Sequence, residues 1–225
     1  MKKNHDKKTI ALRKKIDETE VLEILNNKKT ALFKSIFSRP KKSDIHIHSV
    51  YLYYECILMI SGKYVANYFR KATHSISVNS NVSAVILGDD IFSVRTKSNF
   101  KKAIVGKRGK NKVDLKLEEH VFVENEDGLT FDHHGREIKF PFKLNSKTTE
   151  NYPNRLLEKN SSNIKNCELT HDDAIKKLQS FLKKPLKDEV RKLEEEFVLR
   201  EISEVYVPIY EARLIGPKKK IGIIR

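Results

Sequence analysis

At 225 residues, 39% of them hydrophobic, the chain can build one large domain or two small ones around a sizeable core. A net charge of +15 points to an anionic partner, nucleic acid first, although the excess of Lys over Arg is also what codon bias would produce. Cys56 and Cys167 lie in no CxxC, and no apolar run approaches the roughly 18 residues of a membrane span, so a disulfide framework, a cysteine zinc site and a spanning helix are not expected. MKKNHDKK has no apolar segment behind it, so a cytoplasmic protein without a secretory leader is anticipated.

Residues 1–15 read as a basic arm, and residues 16–98 as a first helix-plus-sheet unit. Asp17 offers a side-chain oxygen to the free N–H groups of a first helical turn, and Glu20 three positions later completes a capping box. Val21, Leu25, Leu32 and Phe33 mark the apolar side, and Pro40 closes the helical stretch. In DIHIH, Asp44, His46 and His48 alternate and would share one face of a strand, where they could hold a metal. Tyr54, Cys56 and Leu58 share a strand face, with Glu55 opposite. Ser61-Gly62-Lys63 reads as a tight turn into a second strand over 64–69. HSISV, VSAVIL and DIFSV follow as strands, separated by Asn79-Ser80-Asn81 and Gly88-Asp89-Asp90.

Residues 99–144 combine a basic loop and a β-meander. Lys101, Lys102, Lys107, Arg108, Lys110 and Lys112 cluster around Gly106 and Gly109, the pattern of a phosphate-contacting loop. Strands are expected over 120–124, 129–133 and 136–142, joined by turns at 125–128 and 134–135. Asp132, His133 and His134, with His120 on a neighbouring strand, can be drawn as a metal or acid–base site; Asp and Gly equally favour a plain turn there. Residues 145–166 are polar and poor in pattern, which reads as a linker.

Residues 167–225 form a second unit. Thr170 caps a helix with Asp173 three positions on, and Ala174, Leu178, Phe181 and Leu182 line its apolar side up to Pro185. Val190, Leu193 and Phe197 predict a further helix over 187–197. Tyr210, Ala212 and Leu214 then share a strand face, followed by a turn at Gly216-Pro217-Lys218 and a strand over 221–224. The short last strand leaves an open edge that the first sheet, a partner chain or further C-terminal residues would cover.

The order of capped helix, proline break, strand, turn and strand thus occurs twice. The cap-to-Tyr-Glu distance is 37 residues from Asp17 to Tyr54 and 40 from Thr170 to Tyr210. That predicts an α+β fold of two pseudo-repeated units, each a helix packed on an antiparallel sheet, with meander and linker between. Glu55 and Glu211 then hold equivalent places, which favours a structural role. The function expected is non-enzymatic binding of nucleic acid, or another anionic partner, through the lysine-rich loop. Neutralising about six phosphates there would give a log affinity that falls with log salt at a slope near −5. One alternative is a subunit that oligomerises through sheet edges and the tyrosines at 51, 53, 54, 64 and 68. The other is a metal-dependent hydrolase using His46, His48, His120, Asp132 and His134. No cofactor is otherwise expected.

Overall fold

Asp17 caps the first helix in the way its sequence requires. Its carboxylate accepts from the Glu20 N–H at 2.9 Å, and the Glu20 side chain accepts from the Asp17 N–H at 2.9 Å. Helix α1 (Glu18–Phe33) follows in the computed structural model, which describes residues 7–34, 40–95, 111–185, 190–217 and 221–225. The chain divides into two compact units. One comprises Met1–Lys63, Glu126–Leu182 and Val198–Arg225; the other comprises Tyr64–Asn125 and Lys183–Phe197.

The strands are β1 (Lys7–Ala11), β2 (His46–Val78), β3 (Ala84–Leu87), β4 (Asp90–Arg95), β5 (Asn111–Phe131), β6 (Ile164–Lys165), β7 (Val190–Ile215) and β8 (Ile221–Ile224). Hydrogen-bonded neighbours run β1-β7-β2-β5-β4-β3, with β6 on β2 and β8 on β7. The sheet is mixed: β1 is parallel to β7 and β6 to β2, whereas β3/β4, β4/β5 and β7/β8 are antiparallel. Two more helices, α2 (Pro153–Lys159) and α3 (His171–Leu182), complete an α+β fold.

The first unit holds three apolar clusters. Val21 and Leu25 of α1 cover Ile45, Ala212 and Leu214. Tyr54, Cys56, Ala11 and Tyr206 meet Leu157 of α2. On the opposite pleat of the strands, Ile57, Val205 and Val207 pack with Leu12, and Ile138 and Phe140 lie against them. Alternation along β2 and β7 therefore buries both pleats here, which fits the nearly continuous apolar run of residues 51–60 in β2.

In the second unit, Tyr64, Ala66, Tyr68 and Val113 are buried. Polar pairs tie β2 to β5: Arg70 Nε to Glu119 at 2.8 Å, His74 Nε2 with Glu119 at 2.6 Å, and Ser75 Oγ to Asp114 at 2.5 Å. Hydrogen bonds from Arg70 and His74 hold the Glu119 carboxyl below its ordinary value. Tyr64 donates to Glu195 at 2.8 Å, and Lys183 pairs with the same carboxylate at 2.6 Å.

Several expected elements take another form. No turn interrupts β2 at Ser61-Gly62-Lys63: Leu58, Ile60, Gly62, Tyr64, Ala66 and Tyr68 are all buried in one unbroken two-residue phase. A turn would have broken that phase, so one extended strand replaces the predicted hairpin. The Asn125–Gly128 turn is likewise absent, and β5 passes straight through. Gly128 faces the Ile60 carbonyl so closely that a Cβ there would lie 2.9 Å from it, so the glycine serves close backbone approach. Of the segment 187–197, residues 190–197 belong to β7 rather than to a helix, because pairing beside β2 overrides the local periodicity. Only Glu137 of the predicted 136–142 strand makes a bridge, to Phe131, though Ile138 and Phe140 still point inward. Residues 145–166 carry a hydrogen-bonded turn, α2 and β6. The hairpins β3/β4 and β7/β8 stand where the sequence predicts them. Since β2 is continuous where β7/β8 turns, the described residues show no clear division into two repeated helix-plus-sheet units.

Candidate functional site

Strand β1 leaves its partner at a defined point. Its ladder on β7 ends at Ala11 opposite Tyr206, with a last bond from the Leu12 N–H to the Tyr206 carbonyl at 2.9 Å. Two residues further along β7 stands Pro208, which has no N–H to offer a neighbour. Residues 13–16 therefore swing away from β7 toward the Asp17 cap. They open a groove of about 880 Å3 between themselves, residues 141–148 and residues 207–210.

Both sides of this groove are fixed by hydrogen bonds, mostly among the residues that line it. The Arg13 N–H donates to the Thr148 carbonyl at 2.9 Å, and Arg13 Nε donates to the Thr149 carbonyl at 2.8 Å. Asn145 organises the facing turn: its side chain accepts from the Lys147 N–H at 2.9 Å, and its carbonyl accepts from the Thr148 and Thr149 N–H groups at 3.0 Å. Thr148 Oγ1 closes the turn on the Lys143 carbonyl at 2.6 Å. Phe142 is set by the ring of Phe140, edge to face at 5.6 Å and 75°.

The floor is apolar, with Leu12, Ile16, Pro141, Phe142, Val207, Pro208 and Ile209. The rim is cationic: Arg13, Lys14, Lys15, Lys143, Lys147 and Arg225, with no carboxylate among the described residues that line it. The lysine side chains at 14, 15, 143 and 147 make no ion pair among the described residues. Arg13 is partly committed, with Glu150 at 4.0 Å. Tyr210 closes one end, and its hydroxyl titrates above the ordinary range through burial and then the nearby Glu18 and Asp17.

Arg225 joins the groove to a buried charge cluster on the same side of β2 and β7. Its guanidinium pairs with Glu55 and, at 3.7 Å, with Glu211. Lys165 of β6 pairs with Glu55 at 3.0 Å and Glu211 at 3.7 Å, and lies 4.3 Å from the centre of the Tyr53 ring. Glu55 is buried, with only 8% of its side chain exposed. His133 Nδ1 stands 3.5 Å from Glu55. Burial, and then His134 beside it, push the His133 imidazole below its usual value, so it is uncharged at pH 7. Arg213 Nε lies 3.9 Å from Glu211 as well, so three cations answer the two carboxylates, and Lys165 and Arg225, 31% and 40% exposed, keep part of their hydration.

The sequence-predicted site residues disperse. His46 and His48 are exposed on one face of β2, but Asp44 belongs to a 3-10 turn (Lys42–Asp44) and accepts from the Lys41 N–H at 3.0 Å. Asp132 builds a turn: its carboxylate accepts from the His134 and Arg136 N–H groups at 3.0 and 2.9 Å and pairs with the Arg136 side chain at 2.7 Å. Gly135 supplies the positive φ of 76° that the turn needs. His134 pairs with Glu168 at 3.0 Å. In the second unit, His120 meets Asn67 at 2.5 Å and stacks on Phe69 at 4.6 Å. Among the described residues no three His, Cys, Asp or Glu side chains gather as metal ligands, so the drawn metal site is not assembled. Lys112 is exposed on β5; Lys101, Lys102, Lys107, Arg108 and Lys110 lie outside the described residues. Of the tyrosines, Tyr51 is 48% exposed and 6.1 Å from the half-buried Tyr53, whereas Tyr54, Tyr64 and Tyr68 are buried.

Sequence reasoning missed the groove. Its lysines come from the basic arm, the end of the meander (Lys143) and the start of the polar linker (Lys147), segments with no local signal that they meet. Lys165 carries no local signal in the polar stretch before the second helix. No protein-family model matches the chain, and comparison with curated proteins and with solved structures found no significant match.

Proposed function

We propose that this protein binds nucleic acid without transforming it, through a basic surface centred on the groove between residues 12–16, 141–148 and 207–210. The observation that carries the reading is the composition of that groove: an apolar floor, six cations around it and no lining carboxylate among the described residues. Four of those cations, Lys14, Lys15, Lys143 and Lys147, make no ion pair among the described residues. Such a rim draws polyanions and releases their counterions. The lysine-rich segment of residues 101–112 adds cations that would favour the same class of ligand.

Fluorescence anisotropy with a labelled mixed-sequence oligonucleotide at low salt tests this. Wild-type protein should bind, and a variant with Lys14, Lys15, Lys143 and Lys147 all changed to Gln should bind at least about ten-fold more weakly. Equal binding by both proteins, or none by wild type, removes the support for this site.

A second reading has an observation of its own. Strand β8 is short, pairs only with β7 among the described residues, and leaves Ile221 and Ile223 exposed. An uncovered apolar edge of this kind suits strand pairing with another chain. Light scattering decides it: a strict monomer at high protein concentration rules the reading out.

A further inference from the structure

We infer that the groove takes single-stranded nucleic acid with bases turned inward, and that it discriminates against a duplex. This rests on the nucleic-acid reading above and adds to it what the ligand must expose.

The argument is one of matching surfaces. A duplex presents phosphates outward and hides its base faces in its own stack. It could satisfy the rim lysines, but it would leave the exposed part of the floor, Pro141, Phe142 and Ile209, against water or against charged backbone. A single strand carries both complements, with phosphates for the lysines and unstacked π-faces for the apolar floor. Phe142 is suited to that task. The residue is 38% exposed, and the edge contact with Phe140 restrains its ring beforehand. Part of the ordering cost of stacking is thereby already met. Arg225, held by Glu55 and Glu211, has its charge largely answered and would orient a phosphate more than attract one.

The test compares labelled single strands and a duplex of equal length, about 12 nucleotides, within the span such grooves cover. Proteins are wild type, Phe142→Ala, Phe142→Leu and the four-lysine Gln variant, each checked for an unchanged melting profile. Wild type should prefer the single strand by about ten-fold or more. Phe142→Ala should weaken single-strand binding about ten-fold and leave duplex binding unchanged. Phe142→Leu, which keeps apolar bulk without a π-face, should also lose most of the preference. Equal affinity for both forms, with Phe142→Ala silent and the lysine variant weakened, overturns the inference while the nucleic-acid reading stands. Absence of any oligonucleotide binding, with Phe142-dependent binding of phosphatidylglycerol vesicles, overturns both.

Discussion

Changing Glu55 to Gln should destabilise the fold by about 2 kcal/mol. The buried carboxylate accepts from Lys165 at 3.0 Å, pairs with Arg225 and stands beside His133. Glutamine keeps the shape and one acceptor oxygen. It removes the charge and turns amide N–H groups toward two cations that then share only Glu211, at 3.7 Å from each. A hydrogen bond to a charged group contributes about 1.5–3 kcal/mol, and breaking a fully buried ion pair costs about 3–5 kcal/mol. Lys165 and Arg225 are 31% and 40% exposed, so water recovers part of that loss, and about 2 kcal/mol remains. Urea unfolding reads it as a lower midpoint at unchanged slope, and thermal unfolding as a fall of roughly 4–8 °C. Glu211→Gln, with longer contacts, should cost less, about 0.5–1 kcal/mol. If Glu55→Gln leaves the midpoint within error of wild type, or raises it, the cluster does not hold β2, β6, β7 and Arg225 together and the reasoning fails.

Leu178→Ala should cost about 3 kcal/mol in the same assay, since the side chain is fully buried on α3 and its loss leaves a cavity. His133 has a native pKa below its unfolded value, so the unfolded chain takes up the proton first. Its contribution to stability is intact above about pH 6.5 and is lost as pH falls from there toward the native pKa, a loss that His133→Gln should flatten. Burial pushes the Cys56 thiol up to about 12, so a thiol reagent at pH 8 should modify it only after urea unfolding. Modification of Cys56 in the native state at the rate of a free thiol would contradict the packing around Tyr206 and Leu157.

How much of this was readable in the sequence depended on range. The Asp17/Glu20 capping box and the Thr170-capped helix rest on contacts three residues apart, and both stand as expected. So does the β7/β8 hairpin, where Gly216-Pro217 interrupts the strand phase. Ser61-Gly62-Lys63 has turn-forming composition but lies inside an unbroken strand phase. Leu58, Ile60, Tyr64, Ala66 and Tyr68 keep step across it, and a strand that does not lose step has not turned. Residues 190–197 show the converse: three apolar residues at helical spacing carry less weight than a sheet neighbour that only the folded chain supplies. The pairing of Glu55 with Glu211 through Lys165 spans 110 residues between Lys165 and Glu55, and no local pattern encodes it. The groove has the same origin. Arg13–Lys15, Lys143 and Lys147, and Val207–Ile209 become neighbours only because β1 pairs with β7 and the Asn145 turn docks on the end of β1.

The most direct measurement is the salt dependence of oligonucleotide affinity for wild type and for the Lys14/Lys15/Lys143/Lys147→Gln variant. If each lysine neutralises one phosphate of a single strand, the two log–log slopes should differ by about 3, with wild type the steeper. Parallel lines would contradict the account, because the charge drawn to the ligand would then reside somewhere other than this groove.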